Sequence, residues 1–307
     1  MFLMDWPLWI DFFDELQNVR GRSQNTVLAY KRDLELWFTY RSKTPTDVQG
    51  FYEFLKQHQL STRSQARVIS SVRTYLRFCE TRGGKSPELR ELRPPKVKVG
   101  LPKALTIEEF EKLLISSRVE DEAKTNRNRL TLLFLFGTGV RVTELIGLNL
   151  RDYQATEKWI KVVGKGGKER LVPLTDLLVE ALDKYLSEFR PQLVGSDDPE
   201  SIFVNDRGHR PSRIDIWRWL AAWSHKAGFA EPIHPHRFRH GCATALLEGG
   251  ADLRSIQMIL GHSSIQTTQI YTNVSQKHLR DEVLAKHPLA EAIPDHHQSP
   301  KDDEILT

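Results

Sequence analysis

Four prolines, Pro87, Pro94, Pro95 and Pro102, fall in one short stretch of a 307-residue chain. Proline fixes φ and has no N–H to donate, so regular structure across that stretch is not expected. Arg90, Arg93, Lys96 and Lys98 are interspersed with the prolines and keep the segment solvated. Any hydrophobic core must therefore form on either side of it, and 307 residues is about two domains' worth of chain. The expected organisation is a helical domain over 1–84, a basic linker over 85–102 and a second domain over 103–290. An acidic tail over 291–307, with no apolar period after Pro294, reads as disordered.

Composition narrows the class. With 39% apolar and 27% charged residues the chain is a globular protein with a real core. The longest apolar stretch, Leu132–Gly137, is far short of the ~20 residues that span a bilayer. Asp5 and Asp11 interrupt the apolar start, and no basic segment precedes it, so no signal peptide is read there. Two cysteines, Cys79 and Cys242, give neither a disulfide framework nor a zinc cluster. A cytoplasmic protein without membrane insertion is expected. Residues 1–100 carry 17 Lys/Arg against 11 Asp/Glu, whereas the last 17 residues carry 1 against 5. An acidic tail thus masks a basic body, which suits a polyanionic partner, nucleic acid first.

The first hundred residues read as helices. Trp6, Trp9, Ile10, Phe12, Phe13 and Leu16 form one helical stripe. Ser23 caps a second helix, with Val27, Tyr30, Leu34, Trp37 and Phe38 at three- and four-residue steps. Pro45 and Thr46 precede a third through Phe51, Phe54 and Leu55. Ser61 or Thr62 caps a fourth, with Val68, Ile69, Val72, Leu76 and Cys79 on one face, and Gly83-Gly84 stops it.

Thr106 to Glu109 form a capping box opening the second domain, ahead of Phe110, Leu113 and Leu114. A buried helix covers Leu130 to Phe136. Trp159–Val163 and Arg170–Pro173, joined by Gly164-Lys165-Gly166-Gly167, read as a β-hairpin. From Thr175 onward the pattern is helical, apart from a short strand at Ile202-Phe203-Val204. Leu279, Val283 and Leu284 make Ser275–Lys286 amphipathic. The fold class expected is mainly α with a small β-sheet.

Four short stretches of the second domain carry chemistry in combination. They are Gly137-Thr138-Gly139-Val140-Arg141-Val142-Thr143-Glu144, the hairpin Lys165, His236-Arg237-Phe238-Arg239-His240, and Leu260-Gly261-His262 with Tyr271 nine residues on. Singly, each has an ordinary structural reading: a surface arginine, a turn lysine, a helix-end histidine, a half-buried tyrosine. Together they suit one phosphodiester. Two guanidiniums can grip its non-bridging oxygens and neutralise a pentacovalent transition state. Tyrosine is a competent nucleophile once positive neighbours or a base help it ionise. A hairpin lysine can protonate the departing sugar oxygen, and histidines can move protons. That chemistry needs no cofactor and no metal. His234, His236 and His240 lack an intervening carboxylate, and Arg237 and Arg239 would repel a cation. The glycine turn lacks the length and trailing Lys-Ser/Thr of a P-loop.

These motifs, in this order, resemble the tyrosine recombinases of the phage-integrase family, and within it the Xer recombinases. The stretch from Leu260 to Tyr271 is especially specific, and the basic helical N-terminal part resembles the family's core-binding domain. Phe238 stands where the family more often has leucine. The resemblance implies that Tyr271 attacks the scissile phosphate to form a 3′-phosphotyrosine, clamped by Arg141 and Arg239. It implies Lys165 as general acid, His262 as a phosphate contact and His236 as proton carrier, with Glu144 and His240 in support. It implies duplex DNA as substrate, assembly on DNA as a homotetramer or with a related recombinase, and regulation by a DNA translocase of the FtsK type. A helix near Ser275–Lys286 docks onto a neighbouring subunit in the family; packing on its own domain is the other reading. Resolution of chromosome or plasmid dimers is the expected role. An integrase of a mobile element, a type IB-like topoisomerase and a catalytically silent DNA-binding protein are the alternatives.

Overall fold

A computed structural model describes residues 8–43, 48–97, 104–195, 200–261 and, beyond these, 279, 281, 283, 285–287 and 289. The chain divides into two compact units, Met1–Gly100 and Leu101–Thr307. Among the described residues no helix is long and apolar enough to cross a membrane.

In the first unit α1 (Trp9–Asp14) runs into a π-helical turn, Glu15–Val19, and is followed by α2 (Gln24–Arg41), α3 (Gln49–Gln57), α4 (Thr62–Thr81) and α5 (Glu88–Glu91). The expected caps are present: Ser23 accepts from the Thr26 N–H, and Ser61, rather than Thr62, accepts from Ser64. Phe12, Trp37, Phe51 and Phe78 are buried and meet their aromatic neighbours mostly edge to face. Ile10 departs from the stripe assigned to it and is 78% exposed, because Trp9, Phe12, Phe13 and Leu16 set the buried face and Ile10 points off it.

The proline-containing segment also departs from the sequence reading. Pro87 stands at the cap of α5, where its fixed φ suits a helix start, so a helical turn forms in a stretch expected to be irregular. That turn is tied down: Arg41 pairs with Glu88 at 2.5 Å, Arg73 donates to the carbonyls of Leu89 and Leu92, and Leu92 is fully buried.

In the second unit α6 (Ile107–Ser116) starts at the Thr106/Glu109 capping box. Then come α7 (Glu122–Thr138), α8 (Val142–Gly147), β1 (Tyr153–Gln154), β2 (Trp159–Val163), β3 (Glu169–Pro173), α9 (Asp176–Lys184), a π-helical turn Tyr185–Phe189, α10 (Arg190–Leu193), α11 (Arg213–Lys226), α12 (Pro235–Glu248) and α13 (Leu253–Leu260). The three strands form one antiparallel sheet in sequence order, with Ile160 opposite Val172. α7 is the spine: Leu130 to Phe136 are all buried, and α9 and α12 pack against it. Ile202-Phe203-Val204 is not a strand. Its side chains are buried, but pairing nearby amounts to a single bridge, Asn149 to Ser201, and burial without a ladder leaves irregular backbone. Leu279, Val283 and Leu289 are buried in this unit's own core, whereas most of Ser275–Lys286 lies outside the described residues.

A Cβ at Gly249, just past α12, would stand 2.2 Å from the Lys286 carbonyl oxygen, a backbone atom that cannot swing aside. Gly249→Ala is therefore expected to push residues 285–289 off the end of α12 and to cost about 1–3 kcal/mol. Urea denaturation checks it, and an unchanged midpoint would show that this segment yields freely.

Candidate active site

The site grows from the end of α7. Gly139 adopts φ 59° there, and a Cβ would lie 2.5 Å from Leu260 Cδ2 and 3.2 Å from the Cys242 sulfur. Only glycine fits both the left-handed turn and the close approach. The chain then reverses through buried Val140 and delivers Arg141 to the cap position of α8.

Glu144, in the first turn of α8, is the hub of a charged cluster. Its Oε2 accepts the Arg141 backbone N–H and its Oε1 accepts Arg141 Nη1, both at 2.8 Å. From β3, Arg170 adds a two-pronged clasp, Nη1 to Oε1 at 3.1 Å and Nη2 to Oε2 at 2.9 Å, while its Nε donates to the Ile259 carbonyl at 2.8 Å. Both side chains are buried, 2% exposed for Glu144 and 7% for Arg170. Burial alone would raise the Glu144 pKa, but the Arg170 hydrogen bonds and charge, joined by Arg141, overcome it and hold the carboxyl below its usual value.

Arg239 arrives from α12. Its Nη1 donates to the Gly139 carbonyl at 2.8 Å and its Nη2 to the Leu260 carbonyl at 2.5 Å, while Arg141 Nη2 reaches the Gly261 carbonyl at 3.4 Å. The arginines thus gather at the carbonyl ends of α7 and α13, where the helix dipole is negative. Burial, then the positive charges of Arg141 and Arg170, push the Arg239 pKa down to about 10. Three guanidiniums face one carboxylate among the described residues. Such an excess of positive charge, partly withdrawn from water, is a seat for an anion.

Of the other anticipated residues, Lys165 opens the turn Lys165–Gly167 between β2 and β3. Its neighbour Gly164 abuts the cluster, since a Cβ there would meet Glu144 Oε1 at 3.4 Å and Arg170 Nη1 at 3.7 Å. His236 and His240 are exposed on α12, on the side of the helix that carries Arg239. Within the same motif Arg237 pairs with Glu109 at 2.5 Å and Phe238 is fully buried, so Arg239 is the guanidinium left for the cluster. His262 and Tyr271 lie outside the described residues. Sequence reasoning missed Arg170. The available signal was its strand register: it shares a face with Val172, and an arginine on the inward face of a strand needs a buried partner.

Two outcomes test this arrangement. Arg170→Ala leaves Glu144 buried with one partner fewer and is expected to cost about 3–5 kcal/mol, measured by urea denaturation. Because the folded-state pKa of Glu144 is depressed, its contribution is present above the unfolded carboxylate pKa and is lost as pH falls through the folded value. The stability gap between the wild type and Glu144→Gln should therefore be widest near about pH 7 and narrow towards about pH 3. A gap that does not change with pH would mean that the carboxylate charge contributes nothing.

Known proteins share the fold and much of the sequence. The model described as "Phage integrase family" matches residues 103–278, and "Phage integrase, N-terminal SAM-like domain" matches residues 10–83. The tyrosine recombinase XerD of Oceanobacillus iheyensis is 40% identical over 294 residues, covering 91% of this chain and 98% of its own length. That of Listeria monocytogenes is 38% identical over 292 residues, with the same coverage. The λ integrase structure bound to DNA shares the fold at a TM-score of 0.66 and 20% identity, over 90% of this chain and 95% of that one. With the catalytic match spanning more than half of the chain and relatives at this identity over nine-tenths of it, the protein belongs to the phage integrase family, as a tyrosine recombinase that cleaves and rejoins DNA.

Proposed function

We propose that the chain is an Xer-type site-specific recombinase that resolves chromosome dimers in the cytoplasm, working on duplex DNA as part of a tetramer with itself or a related recombinase. The observation that carries this reading is the excess of guanidinium over carboxylate at Arg141, Arg170, Arg239 and Glu144, three against one, a charge that suits the dianionic pentacovalent transition state of one phosphodiester. XerD is the name of the relatives that match the chain nearly end to end, which supports the Xer assignment over a mobile-element integrase. A DNA translocase acting on the C-terminal region is the regulator this reading implies. The domain division that goes with it is a DNA-binding unit over 1–84, a linker over 85–102, a catalytic unit over 103–290 and an acidic tail over 291–307.

The residues take these roles. Arg141 and Arg239 hold the non-bridging oxygens of the scissile phosphate, and His262 adds a contact. The Tyr271 oxygen attacks phosphorus, its proton passing to His236, and a 3′-phosphotyrosine bond forms as the bond from phosphorus to the 5′-oxygen breaks. Lys165 gives that oxygen its proton. Glu144 and Arg170 fix Arg141, and His240 supports from α12. Attack by the 5′-hydroxyl of another strand reverses the chemistry and exchanges strands, so the bond energy is conserved without ATP.

Nicked suicide duplexes carrying the candidate recombination site of the host chromosome test this directly, in the presence of a metal chelator. A covalent protein–DNA adduct is expected with the wild type and none with Tyr271→Phe. Lys165→Ala should slow cleavage by roughly 10²–10⁴-fold with DNA affinity nearly unchanged, and a sulfur in place of the 5′-bridging oxygen, a leaving atom that needs no proton, should restore the rate. Binding without any adduct would move the reading to a catalytically silent DNA-binding protein.

A further inference from the structure

In the first unit a polar cleft runs between α2 and α4, lined by Asn25, Thr26, Ala29 and Tyr30 on one side and Arg67 and Ser70 on the other. At its floor lies Asp33, 1% exposed, in an otherwise apolar helix interface. Ser71, itself buried, donates to Asp33 Oδ2 at 2.8 Å, and Arg67 Nη1 donates to Oδ1. Burial raises the Asp33 pKa despite these partners, so the ion pair is costly to keep. A core position gains nothing from it that leucine would not supply. What it does achieve is to hold Arg67, which remains 53% exposed and for which Asp33 is the sole partner among the described residues.

The surroundings suit a nucleic-acid groove. Arg63, Arg67, Ser70, Thr74 and Arg77 fall at three- and four-residue steps along α4 and form its outward stripe, opposite the buried Val68, Ile69, Val72 and Leu76. α4 has four arginines against one glutamate, and its 20 residues make a rod of ~30 Å. The major groove of duplex DNA is wide enough to admit an α-helix, and an arginine held at one nitrogen can there direct others at guanine O6 and N7.

We propose that Arg67, braced by the buried Asp33, reads a guanine in the major groove of the recombination site and is a specificity-determining residue of this protein. The proposal rests on the recombinase reading above and deepens it. Arg67 discriminates because its fork is held in advance: the aspartate tethers Nη1 of the guanidinium before DNA arrives, so less side-chain freedom is lost on meeting the right base. The exposed Arg63 and Arg77 on the same stripe supply phosphate contacts that carry no sequence information.

The test is selection from a library of randomised duplexes with the full-length chain, and then binding titrations on the enriched duplex and a scrambled one. Wild type is expected to enrich a motif in which one position is guanine. Arg67→Lys, which keeps the charge and can still pair with Asp33 but lacks the fork, should lose the preference at that position alone. Its affinity for the enriched duplex should fall roughly 5- to 150-fold while the scrambled duplex changes by about twofold or less. Asp33→Asn, which keeps Arg67 but loosens it, should relax the same position. An unchanged motif in Arg67→Lys, or equal loss on both duplexes, overturns the base-reading role and leaves the recombinase reading intact. If wild type enriches no motif while still forming the Tyr271 adduct, the proposal falls and the chemistry stands; if it forms neither, both fall.

Discussion

Glu144 is the one carboxylate that the catalytic cluster cannot lose. It accepts from the backbone and side chain of Arg141 and from both prongs of Arg170, so α8, β3 and the turn after α7 are fixed to one another through a single buried group. Guanidiniums repel, and three of them do not gather in a half-buried site without a counter-charge. The carboxylate supplies part of it, and the carbonyls of Gly139, Ile259, Leu260 and Gly261 supply the rest as fixed dipoles. Neutralisation is incomplete: burial first, and then the positive charges of Arg141 and Arg170, push the Arg239 pKa down to about 10. Under the roles proposed above, this preorganised positive charge is what would favour the scissile phosphate.

The rest of the catalytic unit explains how such a cluster is held still. α7 is buried nearly all round, which makes it a rigid spine, and its end sets where Gly139 and Arg141 fall. α12 packs on that spine and carries Arg239, so the distance between the two arginines is decided by helix packing rather than by loops. Arg170 comes from the register-locked β2–β3 pair, where it stands opposite Val162. Lys165, by contrast, is placed on the turn that joins the two strands. The proposed phosphate-holding arginines thus stand at a helix cap and on a helix, and the proposed proton donor on a turn.

Much of this is legible in the sequence wherever a single residue type has a single physical use. Ser23, Ser61 and the Thr106/Glu109 pair announce helix starts because their oxygens satisfy otherwise orphaned N–H groups. The glycine turn between two β-branched runs announces the hairpin, and the composite of arginines with Lys165 announces the phosphate chemistry. The departures share a cause. Pro87 reads as a breaker, although at a helix start it is a former. Ile202–Val204 reads as a strand by β-propensity, although a strand needs a partner. Ile10 reads as core by hydrophobicity, although its neighbours own the face. Arg170 escapes for the opposite reason, since its meaning depends on a carboxylate 26 residues away that only the fold brings to it.

Both units use one device for different ends. Asp33 and Glu144 are carboxylates buried where apolar side chains would be cheaper, each paired with arginine and each supported by a further donor, Ser71 in one case and the Arg141 N–H in the other. A long arginine on a protein surface samples many rotamers and loses that freedom on binding. Tethering it to a buried acid removes part of that entropy in advance. In the helical unit a single tether holds Arg67 while its side chain stays 53% exposed, which is what the proposed base reading requires. In the catalytic unit the carboxylate is shared between two arginines: Arg170, 7% exposed, is a buried brace, whereas Arg141, 37% exposed, keeps the access to solvent that its proposed contact with phosphate needs. One guanidinium per buried acid in the first unit and two in the second is thus the physical difference on which the two proposed uses, reading a base and holding a phosphate, rest.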